Sequence, residues 1–137
     1  MFRQLSVFLP NKPGVLAGFM ELLIENKIFI YAMTVAETED YGLLLLLVNK
    51  TNECIQILEE KDYLFTVTDV LAVKLADNIG GLYDISKLFG QSGVNIEYLY
   101  STLVKGEAIL VLRVNNSDKA IEILNSNDYK LLDQQEL

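Results

Sequence analysis

Histidine is absent from the 137-residue chain, and cysteine occurs once, as Cys54. Without histidine the chain lacks the commonest general base, the commonest metal ligand and every Ser-His or Cys-His dyad. A single cysteine excludes a disulfide within the chain. We therefore expect no catalytic residue, no metal site and no cofactor.

Basic residues and long apolar runs are also scarce. Arginine occurs only as Arg3 and Arg113, and the formal net charge of -8 disfavours binding to nucleic acid and to anionic membranes. The longest apolar run, residues 43–48, is far too short to cross a bilayer. Met1 leads into a mixed polar and apolar strand without the pattern of a signal peptide. We expect a cytoplasmic protein with no nucleic-acid or membrane partner.

The chain repeats itself at an offset of 66 positions (75 − 9 = 66, for example). Matching pairs include Leu9 and Leu75, Gly14 and Gly80, Leu22 and Leu88, Val48 and Val114, and Tyr63 and Tyr129. The alignment needs no gap, so the chain is interpreted as a duplication with units 1–68 and 69–137. Units of this length are marginal alone, and we expect them to pack together or to oligomerise.

Each unit has the pattern of strand, helix, strand, strand, helix and strand. Strands are predicted at 3–9, 28–37, 43–48, 63–67, 70–75, 94–103, 107–114 and 129–132, and helices at 13–26, 51–60, 79–91 and 118–126. This split βαβ order predicts an α+β fold. Each unit should form a four-stranded antiparallel sheet with both helices on one face.

The other face of each sheet needs a separate explanation. Residues 28–35 and 43–48 are apolar at odd and even positions alike, which is typical of strands covered on both faces. Helices cover only one face, so we expect another sheet against the second, most simply in a homodimer. The alternative is that extra leucines are tolerated at the surface.

Two strand-to-helix loops, residues 9–16 and 75–82, are candidate anion sites because a helix start exposes unpaired N–H groups. The N–H groups concerned belong to Gly14, Val15 and Leu16 in the first loop and to Gly80, Gly81 and Leu82 in the second. The side-chain oxygens of Asn11 and Asp77 could hold an ammonium group, so each loop suits both ends of an amino acid. Plain helix capping by Asn11 and Asp77 is the alternative, and the loop alone favours it.

Within this order of elements, the loop resembles that of the ACT domain. The resemblance rests on Leu-Pro-Asn-Lys-Pro-Gly-Val-Leu at 9–16, Leu-Leu at 22–23, Asn-Lys-Ile at 26–28, Leu-Ala-Asp-Asn-Ile-Gly-Gly-Leu at 75–82 and Gly-Val-Asn-Ile at 93–96. It covers essentially the whole chain as two tandem units. It implies a regulatory fold that binds amino acids, with two units side by side in one eight-stranded sheet.

The resemblance also implies where the ligand lies: at the interface between units, held by the loop of one unit and the second strand of its neighbour. The implied loop residues are Asn11, Pro13, Gly14, Val15, Leu16, Asp77, Asn78, Gly80, Gly81 and Leu82. The implied strand residues are Met33, Thr34, Tyr98, Tyr100, Ser101 and Thr102. Because the second loop has Gly80-Gly81 and its strand has more hydroxyl groups, we expect the second site to be the better one.

A chain of this length leaves no room for a catalytic domain beside two ACT units. We therefore expect a stand-alone, allosteric regulatory protein of amino acid metabolism that binds a free amino acid and acts through a partner metabolic enzyme or through its oligomeric state. One alternative is an interaction subunit of such an enzyme without its own ligand. Another is an enzyme, since acylphosphatase shares this element order, but Arg3 and Arg113 lie on predicted strands rather than in a phosphate-binding loop.

Overall fold

The computed structural model describes residues 1–37, 40–76 and 78–134, apart from the side chains of residues 37, 78 and 79. The chain divides into two compact units. One unit is Arg3–Thr68, and the other is Asp69–Leu137 together with Met1–Phe2.

The first unit is built around the central strand β3. Its elements are β1 (Phe2–Pro10), α1 (Val15–Glu25), β2 (Ile30–Glu37), β3 (Tyr41–Val48), α2 (Thr51–Glu60) and the start of β4 (Leu64–Leu75). Strand β3 pairs antiparallel with β1 and with β2, so that Leu46 lies opposite both Leu5 and Met33. The core is formed by Leu5, Val7, Leu9, Phe19, Leu23, Ile28, Leu44, Leu46, Val48, Cys54 and Leu58. One face of β1 and β3 therefore packs against both helices.

The second unit repeats this arrangement around β6. Its elements are the rest of β4, α3 (Asn78–Gln91), β5 (Ile96–Val104), β6 (Glu107–Val114), α4 (Ser117–Ser126) and β7 (Leu131–Leu132). Strand β6 pairs antiparallel with β4 and β5, and β7 pairs with β4. The core is formed by Leu71, Val73, Leu75, Ile85, Phe89, Val94, Leu110, Leu112, Val114, Ala120 and Leu124.

The α+β class and the antiparallel pairing are confirmed, but the number of strands is not. The described part of the chain contains seven strands where the sequence predicted eight. The predicted strands 63–67 and 70–75 form one continuous strand, β4, because Thr-Val-Thr-Asp-Val at 66–70 is rich in β-branched residues and has no glycine or proline to turn the chain. The predicted eight-stranded sheet is therefore replaced by a seven-stranded arrangement.

The sheet faces that point away from the helices are buried in the single chain. In β3, Leu45 and Leu47 are 7% and 3% exposed, and in β6, Ile109 and Val111 are 3% and 0% exposed. These residues alternate with the core residues of their strands and so lie on the opposite face. Their burial agrees with the expectation that these apolar strands are covered on both faces. The homodimer stays a prediction.

Candidate ligand-binding site

The loop between β1 and α1 begins at Asn11 and ends at Gly14. Gly14 is the residue before the first helical turn, and its φ of 84° and ψ of -13° place it in the left-handed region. No side chain caps α1, so the alternative that Asn11 serves as a plain helix cap does not hold. The backbone N–H of Asn11 instead donates to the carbonyl of Asp40 at 3.4 Å. Backbone hydrogen bonds of this kind help to hold the loop.

The start of α1 leaves backbone N–H groups without helical acceptors. The first bond within the helix runs from the N–H of Gly18 to the carbonyl of Gly14 at 3.0 Å. The N–H of Val15 donates to the carbonyl of Lys12 at 3.4 Å. The N–H groups of Leu16 and Ala17 have no acceptor inside the helix, and the helix dipole places positive partial charge there. Of the three predicted donors in this loop, Leu16 best fits that role.

A cleft of about 160 Å³ lies beside this loop. Its lining residues are Leu9, Pro10, Asn11, Lys12, Leu16, Val35, Gly42 and Leu44. The cleft therefore combines the end of β1, the start of α1 and the neighbouring parts of β2 and β3. Its walls are apolar, while Asn11 and Lys12 add an amide and an ammonium group.

The structure brings only some of the predicted first-unit residues together. Asn11 and Leu16 line the cleft, whereas Pro13 and Gly14 in the loop and Val15 at the start of α1 do not. These five residues were predicted from the loop motif.

The second strand contributes a different residue from those predicted. Val35 lines the cleft and is 50% exposed. Met33 lies on the same face of β2, one residue pair further along, and does not line the cleft. Thr34 pairs with Leu45 and faces the opposite side of the sheet. The alternation of strand residues places Met33 and Val35 on one face of β2 and Thr34 on the other. The sequence does not show which of these faces carries the helices, so it could not select Val35.

The second loop differs from the first. Asp77 lies outside the described residues, and Asn78 is the first residue of α3. The first residue of α1, Val15, corresponds to Gly81 in the second unit, so α3 begins three residues earlier in the repeat than α1 does. This earlier start places Gly80, Gly81 and Leu82 inside the helix. The N–H of Leu82 then has a helical acceptor, the carbonyl of Asn78.

Gly81 has a packing role in this helix. A Cβ atom at this position would lie 3.0 Å from Cδ2 of Leu75, which is closer than most Cβ contacts in proteins. Gly81 thus allows α3 to approach β4 closely. Its predicted contact with a ligand stays a prediction.

The predicted strand residues of the second unit lie on two faces of β5. Tyr98, Tyr100 and Thr102 are half-buried and pair with Arg113, Val111 and Ile109. Ser101 is exposed, pairs with Leu110 and occupies the repeat position of Val35. Burial, with a smaller contribution from the charge of Tyr98, raises the pKa of Tyr100 well above its ordinary value. Tyr100 is therefore a packed, neutral residue.

The family profile described as ACT domain pair matches residues 1–137. The chain belongs to the ACT domain pair family. A search of curated proteins finds no match.

Solved structures of related shape agree with this ACT domain pair assignment. Protein BT0572 from Bacteroides thetaiotaomicron is 33% identical, with a TM-score of 0.89 over 96% of this chain and 91% of that chain. The ligand-free regulatory subunit of aspartate kinase from Thermus thermophilus is 15% identical, with a TM-score of 0.65 over 90% of each chain. The corresponding subunit from Thermus flavus is 16% identical, with a TM-score of 0.63 over 90% of this chain and 87% of that chain. At these identities the two aspartate kinase subunits establish a shared fold.

The rest of this ACT domain pair offers few groups with reactive chemistry. Among the residues that the structure describes, no three His, Cys, Asp or Glu side chains cluster as metal ligands would. The thiol of Cys54 is fully buried, and burial raises its pKa to about 11. No helix in the described part of the chain is long and apolar enough to span a membrane.

Proposed function

We propose that this ACT domain pair is a regulatory protein that binds a free amino acid in the cleft between the β1–α1 loop and strands β2 and β3. The observation that carries the proposal is the composition of the cleft. Its lining includes Leu16 in the first turn of α1 and the polar side chains of Asn11 and Lys12. The remaining wall is apolar.

The polar and the apolar lining residues of the cleft suit the two parts of an amino acid. The ligand carboxylate would accept from the N–H of Leu16 and interact with the ammonium group of Lys12, where the helix dipole adds favourable charge. The ligand ammonium group would donate to the side-chain oxygen of Asn11, which can accept more than one hydrogen bond. The ligand side chain would contact Val35 and Leu44.

The volume of the cleft supports a ligand of this size. About 160 Å³ corresponds to about five water molecules at ~30 Å³ each. It is smaller than the roughly 300–1,000 Å³ of clefts that hold drug-sized molecules. A single amino acid fits these limits better than a nucleotide does.

The second loop and strand form a proposed second site, equivalent by repeat but different in detail. Its residues are Asp77, Asn78, Gly80, Gly81, Leu82, Tyr98, Tyr100, Ser101 and Thr102. Residue Ser101 replaces Val35 there, so a second ligand would meet a hydroxyl group instead of an apolar wall. A neighbouring ACT unit that completes either site, and a homodimer, remain parts of this proposal.

Regulation would be exerted on a partner enzyme of amino acid metabolism in the cytoplasm. Two proteins that share the fold are regulatory subunits of aspartate kinase, which supports this role without naming a partner for the present chain. We propose no catalytic activity for the chain itself. An amino acid that binds only one conformation stabilises it by about 2.7 kcal/mol at a hundredfold excess over Kd, which is enough to shift a balanced equilibrium.

A thermal-shift screen of the twenty amino acids at millimolar concentration tests the proposal. We expect at least one amino acid to raise Tm. An absence of any shift would contradict amino acid binding. A co-purified enzyme whose activity depends on this protein but on no amino acid would favour the alternative, an interaction subunit without a ligand.

Two matched variants test the location of the site. Gly42 lines the cleft, and its Cβ would lie 3.8 Å from the carbonyl oxygen of Leu9, which is an ordinary contact. Gly42→Val should therefore fold while filling the cleft and weakening ligand binding at least tenfold. Ala108→Val changes the repeat position in the second unit and should leave the affinity unchanged. The reverse result would assign the ligand to the second unit, and no effect of either would overturn both locations.

A further inference from the structure

The two units hold an equivalent tyrosine in the same way but give it different surroundings. The backbone N–H of Tyr63 donates to the carbonyl of Leu58 at 2.9 Å, and that of Tyr129 donates to Leu124 at 3.0 Å. In the second unit, the hydroxyl of Tyr129 also donates to the carboxylate of Asp84 on α3. The repeat position of Asp84 in the first unit is Gly18, so Tyr63 has no counterpart of this carboxylate.

A cleft of about 440 Å³ lies where that carboxylate would be. Its lining residues are Gly18, Glu21, Leu22, Glu25, Lys61 and Tyr63. The ring of Tyr63 is held edge to face against Phe19, with centroids 5.4 Å apart and planes at 78°. The cleft therefore has a positioned phenol on one wall and a glycine where the other unit has an acid.

The charges around this cleft also differ between the units. The first unit has Glu21, Glu25 and Lys61 where the second has lysine, glutamine and asparagine. The phenol of Tyr63 and the ammonium group of Lys61 are both donors for a carboxylate. Glu21 and Glu25 are four residues apart on one face of α1, so their like charges repel and a bound cation would relieve that repulsion.

We propose that this cleft binds a small zwitterion, such as an amino acid, whose carboxylate takes the place that Asp84 occupies in the second unit. The ligand carboxylate accepts from Tyr63 and Lys61, and its ammonium group donates to Glu21 and Glu25. A simple anion is disfavoured because the lining side chains carry one positive and two negative charges. This site is separate from the cleft at the β1–α1 loop and does not depend on it.

The test is an NMR titration of the ¹⁵N-labelled full chain, whose mass of 15.5 kDa suits the method. Glycine, β-alanine and γ-aminobutyrate serve as zwitterionic probes with increasing separation of their charges, and acetate and methylamine serve as single-charge controls. We expect saturable shifts of the amide signals of Gly18, Lys61 and Tyr63 with at least one zwitterion. Each single-charge probe should bind at least tenfold more weakly. Equal binding of acetate, or no shift of these signals with any zwitterion, would overturn the proposal.

Two variants of Gly18 distinguish the effect of an added carboxylate from the effect of replacing a glycine in the helix. A Cβ atom at Gly18 has no neighbour within 4 Å, so both Gly18→Asp and Gly18→Ala should fold. Gly18→Asp supplies the internal carboxylate and should abolish zwitterion binding, while Gly18→Ala should retain it. Retained binding in Gly18→Asp would overturn the site, as would loss in Gly18→Ala. Gly42→Val should retain these shifts, so a failure of this site is distinguishable from a failure of the first one.

Discussion

Glycine occupies two positions four residues apart around the start of α1, and replacing each by alanine should change stability in opposite directions. Gly14 has a φ of 84°, a conformation that costs an L-residue about 1–2 kcal/mol. Gly18 lies inside the helix, where alanine is preferred over glycine by about 0.5–1 kcal/mol. A Cβ atom at either position has no neighbour within 4 Å, so neither change creates a clash.

The expected difference between the two variants is therefore about 1.5–3 kcal/mol in the free energy of unfolding. Urea unfolding followed by far-ultraviolet circular dichroism measures it, and the sequence has no tryptophan to provide a fluorescence signal. Both variants should keep the m value of the parent protein, because the surface exposed on unfolding is unchanged. Gly14→Ala should lower the urea midpoint and Gly18→Ala should raise it.

Two results would refute this reasoning. A neutral Gly14→Ala would mean that the loop adopts another conformation at little cost, so the left-handed residue would not be needed to start the helix. Destabilisation by both variants would mean that the Cβ at Gly18 meets an obstacle that the structure does not contain. Either result would also count against the proposed ligand site at the β1–α1 loop, which depends on the start of α1.

Three further predictions concern the residue before α2, the thiol of Cys54 and the phenol of Tyr129. Lys50→Asn should stabilise the protein by about 0.5–2 kcal/mol in urea unfolding, because it gives α2 the side-chain cap that Asn116 gives α4 through the N–H of Lys119 at 3.1 Å. Cys54 should react with a thiol reagent only after unfolding, since burial raises its pKa to about 11. Tyr129 should titrate by ultraviolet absorbance with a pKa of about 12, raised first by burial and then by Asp84, and Asp84→Asn should lower that pKa. Because the folded-state pKa lies above the ordinary 10.0, the associated stability is present below pH 10.0 and is lost as the pH rises through about 12.

The element order and the core faces could be predicted because hydrophobic periodicity reports them directly. Leu44 and Leu46 alternate with Leu45 and Leu47, which already indicated a strand covered on both faces. The occupant of the second face was beyond a pattern argument, because burial of Leu45 and Leu47 depends on residues distant in sequence. A homodimer was expected to cover that face, and it stays a prediction.

Helix caps were harder to predict because a short polar side chain has several acceptors and donors within reach. Asn49 lies just before α2 but does not cap it, because its side-chain oxygen accepts from the N–H of Phe29 at 2.8 Å. Asn115 makes the same contact with the N–H of Asn95 at 2.9 Å. The choice between a helix start and the start of a neighbouring strand depends on tertiary distance, which local sequence does not contain.

The asymmetry between the two units is the feature on which the proposed site at Gly18 depends. The loop motif drew attention to differences near Gly80, whereas the first proposed site is argued from Leu16 and Val35. The sequence already shows that Gly18 and Asp84 occupy equivalent positions at an offset of 66. That difference alone predicts no site, because the sequence does not show which residue contacts the position. That residue, a tyrosine 45 residues further on, is within reach only in the folded unit. A sequence difference between the two repeats therefore supports a function only when the residue that contacts that position is known, here Tyr63 or Tyr129.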